Sequence, residues 1–123
     1  MNAIGTHLLL ELRGCDRALL NDLVFVKGAM LRAAKEAGAT IVGESFHQFD
    51  PSGVTGILAI AESHLSIHTW PERGYAAADI FTCGTSFKPR RAADLLIDQL
   101  RCEEPSITEI RRGLLSEPAP TTA

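Results

Sequence analysis

No basic stripe of Lys or Arg, no CxxC pair and no apolar run long enough to cross a bilayer occurs in this 123-residue sequence. A formal net charge of -3 and a pI near 5.8 give no long-range attraction to phosphate backbones, so nucleic acid is not expected as a partner. The leucines that open the chain are interrupted by Glu11 and Arg13 and follow no basic start, which is not the pattern of a secretion signal. Without a longer apolar stretch elsewhere, no membrane association is expected, and the chain reads as a soluble, cytoplasmic protein. Cys15, Cys83 and Cys102 are an odd number in isolated positions. That argues against a disulfide framework or a zinc knuckle and leaves Cys15 and Cys102 as ordinary buried or half-buried thiols.

What the sequence does have is 46% hydrophobic residues in a chain of single-domain size. His7 to Arg13 reads as a strand ending at Gly14. Leu23, Val26, Met30, Ala33, Ala34 and Ala37 recur at helical spacing, which predicts a helix over Asn21 to Ala37 with Asn21 as N-cap and Gly38 as its stop. Thr40 to Phe49 reads as a second strand, closed by the turn Asp50-Pro51-Ser52-Gly53. Val54 to Ala61 and Leu65 to Trp70 fit two strands or one sharply bent strand. Tyr75 to Cys83 follows as a strand, Pro89 to Leu100 as an amphipathic helix, and Ile107 to Arg112 as a last strand. The expectation is an α+β two-layer sandwich, an antiparallel sheet with two helices on one face, as a single domain over residues 1–117 with a frayed tail at 118–123. If the uncovered sheet face is apolar, pairing with a second copy is the natural way to bury it.

The chemistry concentrates between Gly43 and Gly84, where polar residues interrupt strands. On a period of two, His64, Ser66, His68 and Trp70 share one face, and Leu65, Ile67 and Thr69 the other. Ser63 has the opposite parity to His68, so cooperation between them requires a bend, expected at Ala61-Glu62-Ser63-His64 where the apolar run gives way. A lone His or Ser is more often structural than catalytic. His64 and His68 share a face, but their α-carbons are about 13 Å apart on a strand, too far to hold one ion between them without residues from elsewhere.

The stretch AESHLSIHTWPERGYAAADIFTCG, with GCD near the start and ESFHQFDPSGVTG upstream, resembles the bacterial and archaeal S-adenosylmethionine decarboxylases from about His7 to Gly84. The resemblance implies self-cleavage between Glu62 and Ser63. The Ser63 hydroxyl attacks the Glu62 carbonyl, exchanging the amide for an ester; His68 removes the Ser63 α-proton, expelling the Glu62 carboxylate; hydrolysis with loss of ammonia leaves a pyruvoyl group as covalent cofactor. The products are a β chain of residues 1–62 and an α chain of residues 63–123. Cys83 is implied as proton donor in the decarboxylation, a role suited to a thiol, whose ordinary pKa of about 8.5 leaves it mostly protonated at neutral pH. Thr55 stands in GVTG where many relatives carry a serine that assists processing. Phe49 and Glu72 match the family's aromatic and acidic substrate contacts, and an aromatic face also attracts a sulfonium cation. No metal is implied.

S-adenosylmethionine is therefore the implied substrate, in a homodimer of processed αβ units, with arginine or ornithine decarboxylation by the same chemistry as the nearest alternative. A non-catalytic dimerising paralogue would be expected to have lost Ser63, His68 or Cys83, and all three are present. A metal-binding domain built on His47, His64, His68 and Cys83 is the remaining alternative.

Overall fold

Alternating apolar residues mark the central strands, and a computed structural model, which describes residues 2–84 and 86–115, assembles six strands into one antiparallel sheet. The elements are β1 (Asn2–Arg13), α1 (Arg17–Leu20), α2 (Leu23–Glu36), β2 (Ile41–Gln48), β3 (Val54–Ile60), β4 (Ser63–Trp70), a 3₁₀ turn (Pro71–Arg73), β5 (Tyr75–Cys83), α3 (Pro89–Gln99) and β6 (Glu104–Leu115). The strand order is β2-β3-β4-β5-β1-β6. The expected α+β two-layer architecture is present, with α1 as a short addition to the two long helices. The tail expected at 118–123 lies outside the described residues. No helix among those described is long and apolar enough to cross a membrane.

Alternation decides which side chains meet the helices. Leu8, Leu10 and Leu12 of β1, Leu58 and Ile60 of β3, Leu65 and Ile67 of β4 and Ile80 of β5 are buried against Met30, Ala33, Leu96 and Leu100. Each such aliphatic side chain contributes about 1.5–3 kcal/mol when fully buried. The helices begin where carboxylates satisfy their first free N–H groups. Asp16 accepts from Leu19 N at 3.1 Å and Asp22 from Phe25 N at 3.0 Å, while Pro89 opens α3.

Asp22, rather than Asn21, is thus the N-cap of α2. Asn21 instead pins the loop between β2 and β3, its Oδ1 accepting from Gly53 N at 2.9 Å and from Gln48 Nε2 at 3.0 Å. Nearby, Thr69 is buried and joins three elements. Its hydroxyl donates to Leu20 O and accepts from Val54 N, both at 2.8 Å.

β3 and β4 are two strands, not one bent strand, joined by a two-residue turn at Ala61-Glu62 with Ile60 paired to Ser63. Glu62 has φ +60°, a left-handed conformation that costs a side-chain-bearing residue about 1–2 kcal/mol.

Replacing Thr69 with Val keeps the shape and removes both bonds, leaving a buried N–H and a buried carbonyl without partners. A destabilisation of about 2–6 kcal/mol is expected from the denaturant midpoint, at about 1–3 kcal/mol for each of the two orphaned groups; an unchanged midpoint would contradict the bridging role.

Candidate active site

The sheet face turned away from the helices carries the polar residues in rows that cross the strands. At the middle lie Ile57, Ser66, Asp79, Leu9 and Thr108; one step toward the β3–β4 turn lie Ala59, His64, Phe81, His7 and Ile110; one step the other way lie Thr55, His68, Ala77, Glu11 and Ser106. His64, Ser66, His68 and Trp70 share this face, as alternation predicts, and Leu65, Ile67 and Thr69 point into the core. Leu9, Ile57 and Ile110 are large apolar side chains left exposed on it.

Ser63 opens β4 on the helix side. Its hydroxyl lies 3.3 Å from both Ala61 O and Thr82 Oγ1, and Cys83, half-buried, is the next residue along β5 but faces the open side opposite Gly5. The peptide that joins Glu62 to Ser63 directly follows the left-handed Glu62.

At the far end of β4, Thr55 and His68 are a directly opposed cross-strand pair, and Thr55 Oγ1 lies 3.1 Å from His68 Nδ1. The Thr55 hydroxyl is therefore oriented toward the imidazole despite its extra methyl. Thr55 and His68 line a cleft of about 280 Å³ together with Phe49, Trp70 and Glu72. Phe49 is 47% exposed and packs edge-on against His47, with ring centroids 4.5 Å apart. Glu72 sits in the 3₁₀ turn with Ser52 Oγ 3.5 Å from its Oε1. The loop bearing Phe49 is the one that Asn21 pins.

The predicted residues therefore fall into two groups, Ser63 with Cys83 and Thr55 with His68, Phe49 and Glu72. The bend expected between Ser63 and His68 is absent: β4 pairs with β3 and with β5 in unbroken register, and only the turn at Ala61-Glu62 interrupts the chain. Five residues of strand separate Ser63 from His68 by about 16 Å. The set His47, His64, His68 and Cys83 is likewise divided between the two ends.

A third group lies between them. Asp79 of β5 accepts from Ser66 Oγ at Oδ1, and its Oδ2 lies 2.6 Å from His7 Nε2 and 3.3 Å from His64 Nε2. Burial works to raise the Asp79 carboxyl, but hydrogen bonds from Ser66, His7 and His64 outweigh it and hold it below the ordinary carboxylate range. His7, His64 and Asp79 offer ligand atoms within 4.8 Å of one another. Sequence reasoning misses His7 and Asp79 as site residues, although a lone acid inside the apolar strand YAAADIFTC is a signal. Elsewhere, burial first and Cys102 second push the Cys15 thiol up to about 12, consistent with an inert core residue.

A carboxyl depressed on folding contributes stability that is complete above its unfolded value of about 4 and is lost as pH falls through the lower folded value. Asp79→Asn should lower stability at neutral pH and flatten the acid limb of the stability–pH curve below about pH 4. Denaturant titration across pH checks this; an acid limb identical to wild type would show that Asp79 gains nothing from its three donors.

Comparison with known proteins adds kinship to this geometry. Residues 6–113 match the family described as S-adenosylmethionine decarboxylase. The chain is 53% identical over 116 residues to an S-adenosylmethionine decarboxylase proenzyme of Thermodesulfovibrio yellowstonii, covering 94% of this chain and 86% of that one. It is 47% identical over 118 residues to the proenzyme of Acetivibrio thermocellus, covering 96% and 95%. Among solved structures, the adenosylmethionine decarboxylase of Aquifex aeolicus superposes with a TM-score of 0.89 at 35% identity, over 95% of this chain and 97% of that one. A Trypanosoma brucei AdoMetDC monomer shares the fold at 15% identity, with a TM-score of 0.63 over 83% of this chain and 44% of that one. With the match running through all six strands and both long helices, the chain belongs to the S-adenosylmethionine decarboxylase family.

Proposed function

We propose that this chain is a self-processing decarboxylase that converts S-adenosylmethionine to its decarboxylated, aminopropyl-donating form and carbon dioxide, the step that supplies spermidine synthesis. Family membership supports this substrate over arginine or ornithine. The observation that carries the mechanism is the division of the required side chains into two groups at opposite ends of β4.

Ser63 suits the role of precursor to the family's pyruvoyl group. It follows a left-handed residue in a tight turn, and its hydroxyl is held by Thr82 and Ala61 O rather than buried without access. The Glu62–Ser63 bond is in this reading the one exchanged and cut. His68 takes the α-proton, and Thr55 orients its ring through Nδ1, leaving Nε2 to face the reaction. The pyruvoyl group supplies the ketone that captures the substrate amine and the sink for the electrons released with carbon dioxide. Cys83, on the open face at the Ser63 end, returns a proton to the substrate carbon. Phe49 and Glu72, beside His68, bind the adenosine end.

Because one strand cannot bring Ser63 to its own His68, we infer a homodimer in which the open faces pack together. A two-fold axis running across the strands over the Ser66–Asp79 row exchanges the two ends of β4. Ser63 and Cys83 of one copy then meet Thr55, His68, Phe49 and Glu72 of the other. The exposed Leu9, Ile57 and Ile110 supply apolar surface for such packing.

Carbon dioxide release is expected from S-adenosylmethionine and not from arginine or ornithine; release from arginine alone would overturn the substrate assignment. Intact mass should show the wild-type chain split after residue 62. Ser63→Ala should stay whole, and Cys83→Ala should split yet lose at least about a hundredfold in turnover, the scale of a missing general acid.

Co-expression tests the shared site. A His68→Ala chain that does not reach the pyruvoyl form alone should do so beside a Ser63→Ala chain, since one of the two mixed sites then holds both native residues. No conversion in the mixture, or a stable fully active monomer by light scattering, would refute the two-copy arrangement.

A further inference from the structure

We propose that Asp79, with His7 and His64, is a positioning clamp that keeps the first residues of the α chain seated on the sheet after the chain has been cut. The proposal rests on the reading of Ser63 as the cleavage residue.

Before the cut, Ser63 is held by the two-residue turn, by the hydrogen bonds of its hydroxyl to Ala61 O and Thr82 Oγ1, and by the β-ladder. Cutting removes the turn. The hydroxyl oxygen leaves as part of the Glu62 carboxylate, so both side-chain bonds disappear with it. A strand end without side-chain anchors frays. The first remaining side chain is His64, and its Nε2 lies 3.3 Å from Asp79 Oδ2 on β5.

Asp79 is itself immobilised from two sides. Ser66 of β4 donates to one oxygen, and His7 of β1 meets the other at 2.6 Å. Arg112 Nη1 lies 3.4 Å from His7 Nδ1. A guanidinium only donates, so Nδ1 accepts and the ring proton sits on Nε2, aimed at Asp79. The Phe81 ring packs beside both imidazoles, its centroid 5.5 Å from that of His7 and 6.0 Å from that of His64, and the two imidazoles are themselves 6.0 Å apart. His7 belongs to the 1–62 product and Asp79 to the 63–123 product. The clamp therefore ties the new terminus to its own chain and to the one it was cut from.

The same three residues have the ligand types and spacing of a metal site. Binding through His7 Nε2 requires the other tautomer, with an Nδ1–H facing Arg112. The hydrogen-bonded clamp is the arrangement that the charges favour.

The test compares wild type, His64→Ala and His64→Gln, since a glutamine amide can still donate to Asp79 from about the position of Nε2. Intact mass reads the cut, hydrogen exchange reads the amides of residues 64–67, and steady-state kinetics read turnover. His64→Ala is expected to cut itself like wild type, then to exchange those amides at least about tenfold faster and to lose at least about tenfold in kcat with KM little changed, the scale of a displaced reacting group. His64→Gln should recover most of both. In a Ser63→Ala background, where the chain stays whole, His64→Ala should leave the exchange unchanged.

Wild-type exchange and kcat in cleaved His64→Ala would overturn the clamp and leave the Ser63 reading standing. Faster exchange in the whole chain would overturn it by making His64 a general stabiliser, and a blocked cut would move its role to processing. One zinc ion per chain, lost in Asp79→Asn, would replace it with a metal site. A wild-type chain that never splits would instead bring down the Ser63 reading, and the clamp with it.

Discussion

A β-strand advances about 3.3 Å per residue and turns successive side chains to opposite faces, and β4 obeys this without interruption from Ser63 to Trp70. Much of the site follows from that regularity. It buries Leu65, Ile67 and Thr69 among the helices and leaves His64, Ser66 and His68 on a face that none of the described helices covers. It also fixes the distance between Ser63 and His68, because a strand hydrogen-bonded on both sides has no slack with which to bend them together. In the proposed reading the chain thus carries both halves of a site while joining neither to the other, and the two-copy proposal is the way that reading meets this geometry.

The fold is largely legible in the sequence because its signals are periodic. β1, β5 and the two long helices follow directly from the placing of leucines and alanines, and the β5 span agrees to the residue. Capping is less legible. Asn21 and Asp22 are adjacent and both suit an N-cap; only the position of the loop between β2 and β3, set by distant sheet pairing, frees Asn21 to bind Gly53. The extension of β1 back to Asn2 escapes pattern reading because its first residues do not alternate clearly, and partners on β5 and β6 supply the missing order.

The site is legible as a set of residues and not as an arrangement. Phe49, Thr55, His68 and Glu72 do converge on one cleft. The separation of that cleft from Ser63 is written in the parity of the strand, but a bend at the polar step is equally compatible with the sequence. His7 and Asp79 are out of reach for another reason. They are far apart along the chain, and their meeting depends on β1 pairing with β5, a contact that no local pattern encodes.

The sheet order has a bearing on what a cut in the β3–β4 turn leaves behind. The 1–62 segment supplies β1, β2 and β3, and the 63–123 segment supplies β4, β5 and β6, yet β1 lies between β5 and β6. The two segments are interleaved like the teeth of a comb rather than laid side by side. Pulling them apart means extracting a twelve-residue strand from between two hydrogen-bonded neighbours, as well as parting β3 from β4. Such a molecule can break its backbone at one peptide and remain a single folding unit, so maturation changes its chemistry without dividing its body.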